Sequence, residues 1–184
     1  HPKYLGKLEE HPWFAGQQRL TFARSGLDDP LCLDAYLSRH GFDGLEHALH
    51  LPPEDIVDEV TRSGLRGRGG AAFPAGIKWN TVLQAAGDEK YIACNADEGD
   101  SGTFADRLIM EGDPFLLIEG MAIAAGAVGA SKGFIYLRSE YPEAADILTE
   151  ALQIGRREGA LNENFDIALF IGAGAYICGE ETSL

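Results

Sequence analysis

The sequence predicts an α/β protein, a parallel sheet with crossover helices, preceded by a short helical region. Three observations predict it. From Tyr91 onward, strand-like apolar runs alternate with helical patterns. Those runs are nearly continuous in apolar residues rather than alternating, which is the pattern of a sheet covered on both faces. Before Arg62 the chain instead reads as short helices divided by turn signals.

In the first region, HPWFAGQQRLTFARSG ends in Gly, LDDPLCLDAYLSRHG sets Asp28 and Asp29 ahead of an apolar-periodic run, and FDGLEHALH forms a third unit. After Pro52-Pro53, EDIVDEVTRSG has acids in its first turn, Arg62 in its last and Gly64 beyond, as the helix dipole favours. A helix is expected over Gly76–Ala86. The alternating region then runs YIACN (Tyr91–Asn95), the helical PFLLIEGMAIAAGAVGA, FIYLR (Phe134–Arg138), the amphipathic YPEAADILTEALQIGRREG and FDIALFIGAG (Phe165–Gly174). Right-handed crossovers make this β-α-β-α-β run parallel and place binding groups at the carboxyl ends of the strands. The expected division is a helical region over 1–62 and a binding domain over 63–184.

Composition narrows the function. The 184 residues carry 15 Lys plus Arg against 29 Asp plus Glu, a formal charge of −14, with 45% hydrophobic residues. That content fills a core and excludes an acidic disordered tail, while the charge disfavours nucleic acid and anionic membranes as partners. Cys32, Cys94 and Cys178 are odd in number and far apart, so neither a disulfide framework nor a metal knuckle can be drawn, and a reducing, cytoplasmic setting is expected. The start HPKYLGKLEE is too polar for a secretory signal, and beginning at His1 rather than Met is expected of a piece of something longer. Phe115–Ala130 carries Glu119 and falls short of the ~20 apolar residues of a membrane span. His47 and His50 share a helix face without a third close ligand, so no metal site is expected.

Three segments carry the chemistry. In SGLRGRGGAAFPAGIKWN (Ser63–Asn80), Gly67, Gly69 and Gly70 lie between and beside Arg66 and Arg68 and are followed by Phe73 and Lys78. Glycines so close together let successive N–H groups wrap an anion, and the helix that follows turns its N-terminus to the same place. The dinucleotide fingerprint is matched only in letters, because here it follows a helix and not a strand. In CNADEGDSGTFADR (Cys94–Arg107), Asn95, Asp97, Glu98, Asp100 and Asp106 gather after a strand. They suit a solvated turn, an Mg²⁺ or Ca²⁺ loop without EF-hand spacing, or a set of acceptors around a bound heterocycle. In GAGAYICGEETSL (Gly172–Leu184), Tyr176, Gly179, Glu180 and Glu181 follow the last strand. Cys94 and Cys178 read as small core residues, and with every His before residue 51 no nucleophilic triad is evident.

The strings LRGRGGAAFPAGIKW, CNADEGDSGTFADR and GAGAYICGEET together resemble the flavin-bearing NADH-binding subunit of respiratory complex I, the 51 kDa type. They also resemble its soluble relatives, the diaphorase subunits of NAD-reducing hydrogenases and the beta subunits of NAD-dependent formate dehydrogenases. The resemblance covers roughly residues 55–184, and HPWFAGQQRLTFARSG with NADEGDSGTF points to the formate dehydrogenase branch. It implies an incomplete Rossmann-like FMN domain. Gly67, Arg68, Gly69 and Lys78 would form the phosphate loop, and Asn95, Asp97 and Glu98 would hold the flavin ring and ribityl chain. Tyr176, Gly179 and Glu180 would complete that pocket, with Phe73, Asp100 and Glu181 touching NAD(H). Catalysis would be hydride transfer by FMN, with no catalytic side chain. The implied partners are NAD(H), a thioredoxin-like 24 kDa-type iron–sulfur subunit, and a large molybdopterin formate dehydrogenase subunit or its hydrogenase or complex I counterpart. A [4Fe–4S] cluster is implied for the full-length parent but not for this chain, whose three scattered Cys cannot hold one. Ala72 stands where the family usually has Gly, and Asp100 is shorter than the Glu expected there. A non-catalytic binding or assembly module on the same fold is the alternative of another class.

Overall fold

The computed structural model describes residues 6, 7, 10–176, 178 and 179. Strands β1 (Tyr91–Ala96), β2 (Lys132–Leu137) and β3 (Asp166–Ile171) form a parallel sheet in the order β1-β2-β3. Tyr91 pairs with Lys132 and Lys132 with Asp166, so all three strands end level at Ala96, Leu137 and Ile171. Helices α6 (Ala105–Gly112) and α7 (Pro114–Val128) form the first crossover, and α8 (Pro142–Arg157) forms the second.

Helices α7 and α8 pack on each other and on one face of the sheet. Ile135, Leu137, Ile167, Ile118 and Leu148 are fully buried there. Helix α7 is apolar on nearly every side because it is central, with the N-terminal helices on its other flank. The expectation of a sheet covered on both faces is corrected: among the described residues only this face is covered. The other carries Tyr91, Phe134 and Phe170, their rings 5.7–5.8 Å apart in sequence order, with Tyr91 and Phe170 exposed. Unbroken apolar strands can arise from an aromatic outer row as well as from a second covering layer.

The N-terminal region comprises α1 (Pro12–Ala15), α2 (Leu33–Ser38), α3 (Asp43–Leu49) and α4 (Pro53–Ser63). Of the first sequence unit only four residues are helical; turns and bends carry the chain through Gly26. Helix α4 ends as its residues dictate, with Gly64 left-handed at φ 70°. Glu119 on α7 fastens this region down. It is buried and accepts hydrogen bonds from the Tyr36 hydroxyl, from Phe42 N–H at 3.0 Å and from Leu45 N–H at 3.1 Å. Phe42 and Leu45 stand at the start of α3, so a carboxylate from another helix does the capping that no local side chain supplies. A Cβ on Gly44 would come within 2.9 Å of Glu119 Oε1. Nearby, Arg24 Nε donates to buried Asp113 at 2.9 Å.

Candidate functional site

The glycine loop begins where α4 stops and ends where α5 (Ala75–Gln84) starts. Its two ends are zipped together: Gly67 N–H donates to Phe73 O and Ala75 N–H to Leu65 O, both at 2.9 Å. Arg66 Nη1 donates to Ala72 O at 2.9 Å, which commits that cation to the loop's own shape. Arg68 and Lys78 remain on the surface. Gly76 lets α5 approach α4, since a Cβ there would lie 2.2 Å from Thr61 Oγ1. Around Gly69 and Gly70 the opposite holds, and an added Cβ would meet nothing within 4 Å. Those glycines therefore serve backbone conformation and access rather than packing, with Gly70 at φ 103°. Ala72 sits at φ 50°, in the left-handed region that an L side chain disfavours. No side chain caps the N-terminus of α5, so its first-turn amides add to the positive end of the dipole beside the loop.

The acidic segment begins at the end of β1. Asn95 Oδ1 accepts Asp97 N–H at 3.0 Å, a local turn that fixes the Asp97 backbone. Among the described residues, Asp97 Oδ2 is buried without a hydrogen-bond donor. Hydrogen bonding to the Asp97 carboxylate, and then burial, raise the Cys178 thiol above its ordinary value, and the same thiol lies 3.5 Å from Ala175 O. Asn95 and Asp97 are joined by residues from beyond β3: an added Cβ on Gly99 would lie 3.4 Å from the Tyr176 ring, and one on Gly179 3.9 Å from Asn95 Nδ2. Tyr176 is 74% exposed, presenting its ring to whatever occupies this end of the sheet. A buried carboxylate oxygen lacking a donor costs free energy unless a ligand N–H or O–H reaches it. A flavin ring N–H or ribityl hydroxyl is such a donor, and the open, cationic glycine loop suits a phosphate; these residues fit FMN.

Glu98 faces the other way. It is 8% exposed, and its carboxylate accepts Asp106 N–H at 3.0 Å, Arg107 N–H at 3.2 Å and the Tyr141 hydroxyl at 3.1 Å. Burial, and then the Glu98 carboxylate, push the Tyr141 phenol above its ordinary value, which keeps it a donor. Burial and the negative charge of Glu98 likewise raise the Asp106 carboxyl. Sequence reasoning missed α6 and the residues at the end of β2, Arg138 and Tyr141. The strand-end rule that singled out β1 and β3 applies equally to β2 and could have found them.

Of the remaining expected residues, Phe73 is 50% exposed on the loop, and Asp100 lies on the surface in a turn closed by Thr103 N–H at 3.1 Å. Glu180 and Glu181 lie outside the described residues. No hydrogen bond joins the glycine loop to the strand-end cluster among the described residues.

Residues 60–184 match the family described as the Nuo51 FMN-binding domain. The chain is 48% identical over 175 residues to the NADP-reducing hydrogenase subunit HndC of Solidesulfovibrio fructosivorans, covering 91% of this chain and 36% of that one. It is 49% identical over 159 residues to an NADH-quinone oxidoreductase subunit of Aquifex aeolicus, covering 83% of this chain and 37% of that one. The crystal structure of an NAD⁺-reducing [NiFe]-hydrogenase in the H2-reduced state superposes with a TM-score of 0.70 at 35% identity, over 96% of this chain and 30% of that one. The chain thus spans little more than a third of the length of these two curated relatives. The match spans more than half of the sequence and takes in the glycine loop and the parallel sheet: the chain belongs to the Nuo51 FMN-binding domain family.

Proposed function

We propose that this chain holds FMN and takes part in electron transfer between NAD(H) and iron–sulfur clusters, as part of an oxidoreductase flavoprotein subunit. The observation that carries the reading is the Asp97 oxygen buried without a partner among the described residues, between Asn95 and Gly99, which lies against Tyr176, at the carboxyl ends of the strands. The Gly69 amide, with Arg68 and Lys78, holds the phosphate, while Gly67, whose N–H is committed to Phe73 O, shapes the loop around it. Asn95 and Asp97 fix the orientation of the ring and ribityl chain, and Tyr176, Gly179 and Glu180 are assigned to complete that pocket. Phe73, Asp100 and Glu181 are assigned to the dinucleotide side. FMN, when bound, supplies hydride exchange with a nicotinamide and release of the electrons one at a time. The chain's own carboxylates act by hydrogen bonding and local negative potential, not by abstracting protons.

Within the family we assign the formate dehydrogenase branch, supported by HPWFAGQQRLTFARSG and NADEGDSGTF. The partners are then a thioredoxin-like iron–sulfur subunit and a large molybdopterin subunit. Formate-dependent NAD⁺ reduction by the purified complex tests the branch; reduction driven only by H2 would move the chain to the hydrogenase branch.

An FMN titration followed by flavin absorbance, then anaerobic NADH, tests the central reading. Saturable binding and bleaching of the flavin band are expected. A holoprotein that binds no flavin would leave the binding-module alternative standing.

A further inference from the structure

We infer that Tyr141 is a positioning residue for the flavin loop, pinned between the guanidinium groups of Arg107 and Arg138 and holding residues 97–100 in place through Glu98. This rests on the FMN reading above. The Arg107 and Arg138 Cζ atoms lie 5.3 and 5.0 Å from the centroid of the Tyr141 ring. Stacking of this kind favours one ring plane, and that plane delivers the hydroxyl to Glu98 Oε2. Arg138 donates through Nη1 to the Glu98 carbonyl, so the same residue that stacks on the pin also grips the loop's main chain. The Arg138 N–H reaches back to Ala96 O at 3.3 Å, tying the end of β2 to the end of β1.

Both cations are themselves held. Glu140 accepts from Arg138 Nε at 3.2 Å, while Glu111 and Glu143 accept from Arg107 at 2.7 and 3.1 Å. Glu98 is thus bound from three sides: by the first amides of α6, by the phenol and, at its carbonyl, by Arg138. Its neighbour Asp97 has one buried oxygen with no donor among the described residues. Successive residues leaving a strand point to opposite sides, so what fixes Glu98 on the inner side sets where Asp97 points on the outer side. Tyr141 and Arg138 do not touch the flavin in this assignment. They determine where the carboxylate that does touch it stands.

The test is an FMN titration of deflavinated holoprotein, with the visible spectrum of the bound flavin as second readout. Tyr141→Phe keeps the stacked ring and removes the hydroxyl. Losing one hydrogen bond to a charged group predicts a Kd for FMN raised about tenfold and an altered flavin band in the bound fraction. Glu98→Gln is expected to do the same, and the double variant no worse than the weaker single one, because the two act through one contact. A merely structural role would lower the yield of folded protein and leave the spectrum of bound flavin unchanged. Wild-type Kd and spectrum in Tyr141→Phe, or full additivity with Glu98→Gln, overturns the inference. If Tyr141→Phe gives no folded protein, Arg138→Lys replaces it, since the shorter donor set loses the grip on the Glu98 carbonyl while retaining charge; the same loss of affinity supports the pin, and none overturns it. A wild-type protein that binds no FMN overturns the functional reading itself and is distinguishable from all of these.

Discussion

Two buried glutamates, one in the helical flank and one at the strand ends, are held in nearly the same way. Glu119 accepts a tyrosine hydroxyl and two amides at the start of α3; Glu98 accepts a tyrosine hydroxyl and two amides at the start of α6. The chemistry is shared, but the neighbours differ. Glu119 lies in the middle of α7, flanked by Ile118 and Gly120, and what it fixes is the seating of α3. Glu98 stands next to an aspartate oxygen that has no partner among the described residues. One buried cap therefore docks a helix, while the other, in the proposed function, also aims a ligand-binding group.

The largest expected effect breaks the first of these. Glu119→Ala leaves a phenol and two amides without their acceptor and is expected to cost ~3 kcal/mol or more in chemical denaturation. The folded fraction should still bind FMN with unchanged affinity; a parallel loss of affinity would erase the distinction between the two glutamates. Next comes Gly76→Ala, which forces α5 away from Thr61 and should cost ~2 kcal/mol. Because α5 anchors one end of the glycine loop, isothermal titration should also show weakened FMN binding. Ala72→Gly works in the opposite direction. Relieving a left-handed Ala is expected to stabilise by ~1 kcal/mol, seen as a higher Tm, with FMN binding retained. A lower Tm would mean that the Cβ makes a contact worth more than the strain.

The smallest effect concerns Cys94. Burial, and then the charge of Asp106, push its thiol up to about 11. At pH 8 its thiolate is only on the order of one part in a thousand, so Cys32, which is exposed, should be alkylated long before it. The sign of the linkage follows: a raised thiol value contributes stability that is complete below the ordinary thiol range and is lost as pH rises through about 11. Time-resolved alkylation read by mass spectrometry checks the order of labelling.

Much of this architecture was legible in the sequence because periodicity and capping are local. The αL glycine after α4, the prolines opening α7 and α8, and the three apolar strands all announce themselves within a few residues. Helix α6 does not. Its start has no side-chain cap of its own, and the carboxylate that satisfies Asp106 and Arg107 comes from Glu98 in the preceding loop. The site divides along the same line. Glycine spacing and strand-end acids mark the candidate site, whereas the pin at Tyr141 depends on side chains brought together across the α6–α7 crossover. The direction in which Glu98 points was equally invisible, since two adjacent acids look interchangeable until the backbone assigns each a side. The uncovered sheet face was misread for a related reason: apolar content along a strand does not say what lies above it.

The parallel register also shapes how the molecule comes together in time. Tyr91 cannot meet Lys132, nor Lys132 meet Asp166, until an intervening crossover has folded back. No strand pair here can nucleate as a local hairpin, and loop closure must precede any ladder bond. Among the described residues, α7 touches β1, β2, α8 and helices α3 and α4, so its burial is the natural organising step of refolding. Until that step is complete, β1 waits unpaired with Ile92 and Cys94 in water, and refolding should slow and grow sensitive to protein concentration when α7 is weakened.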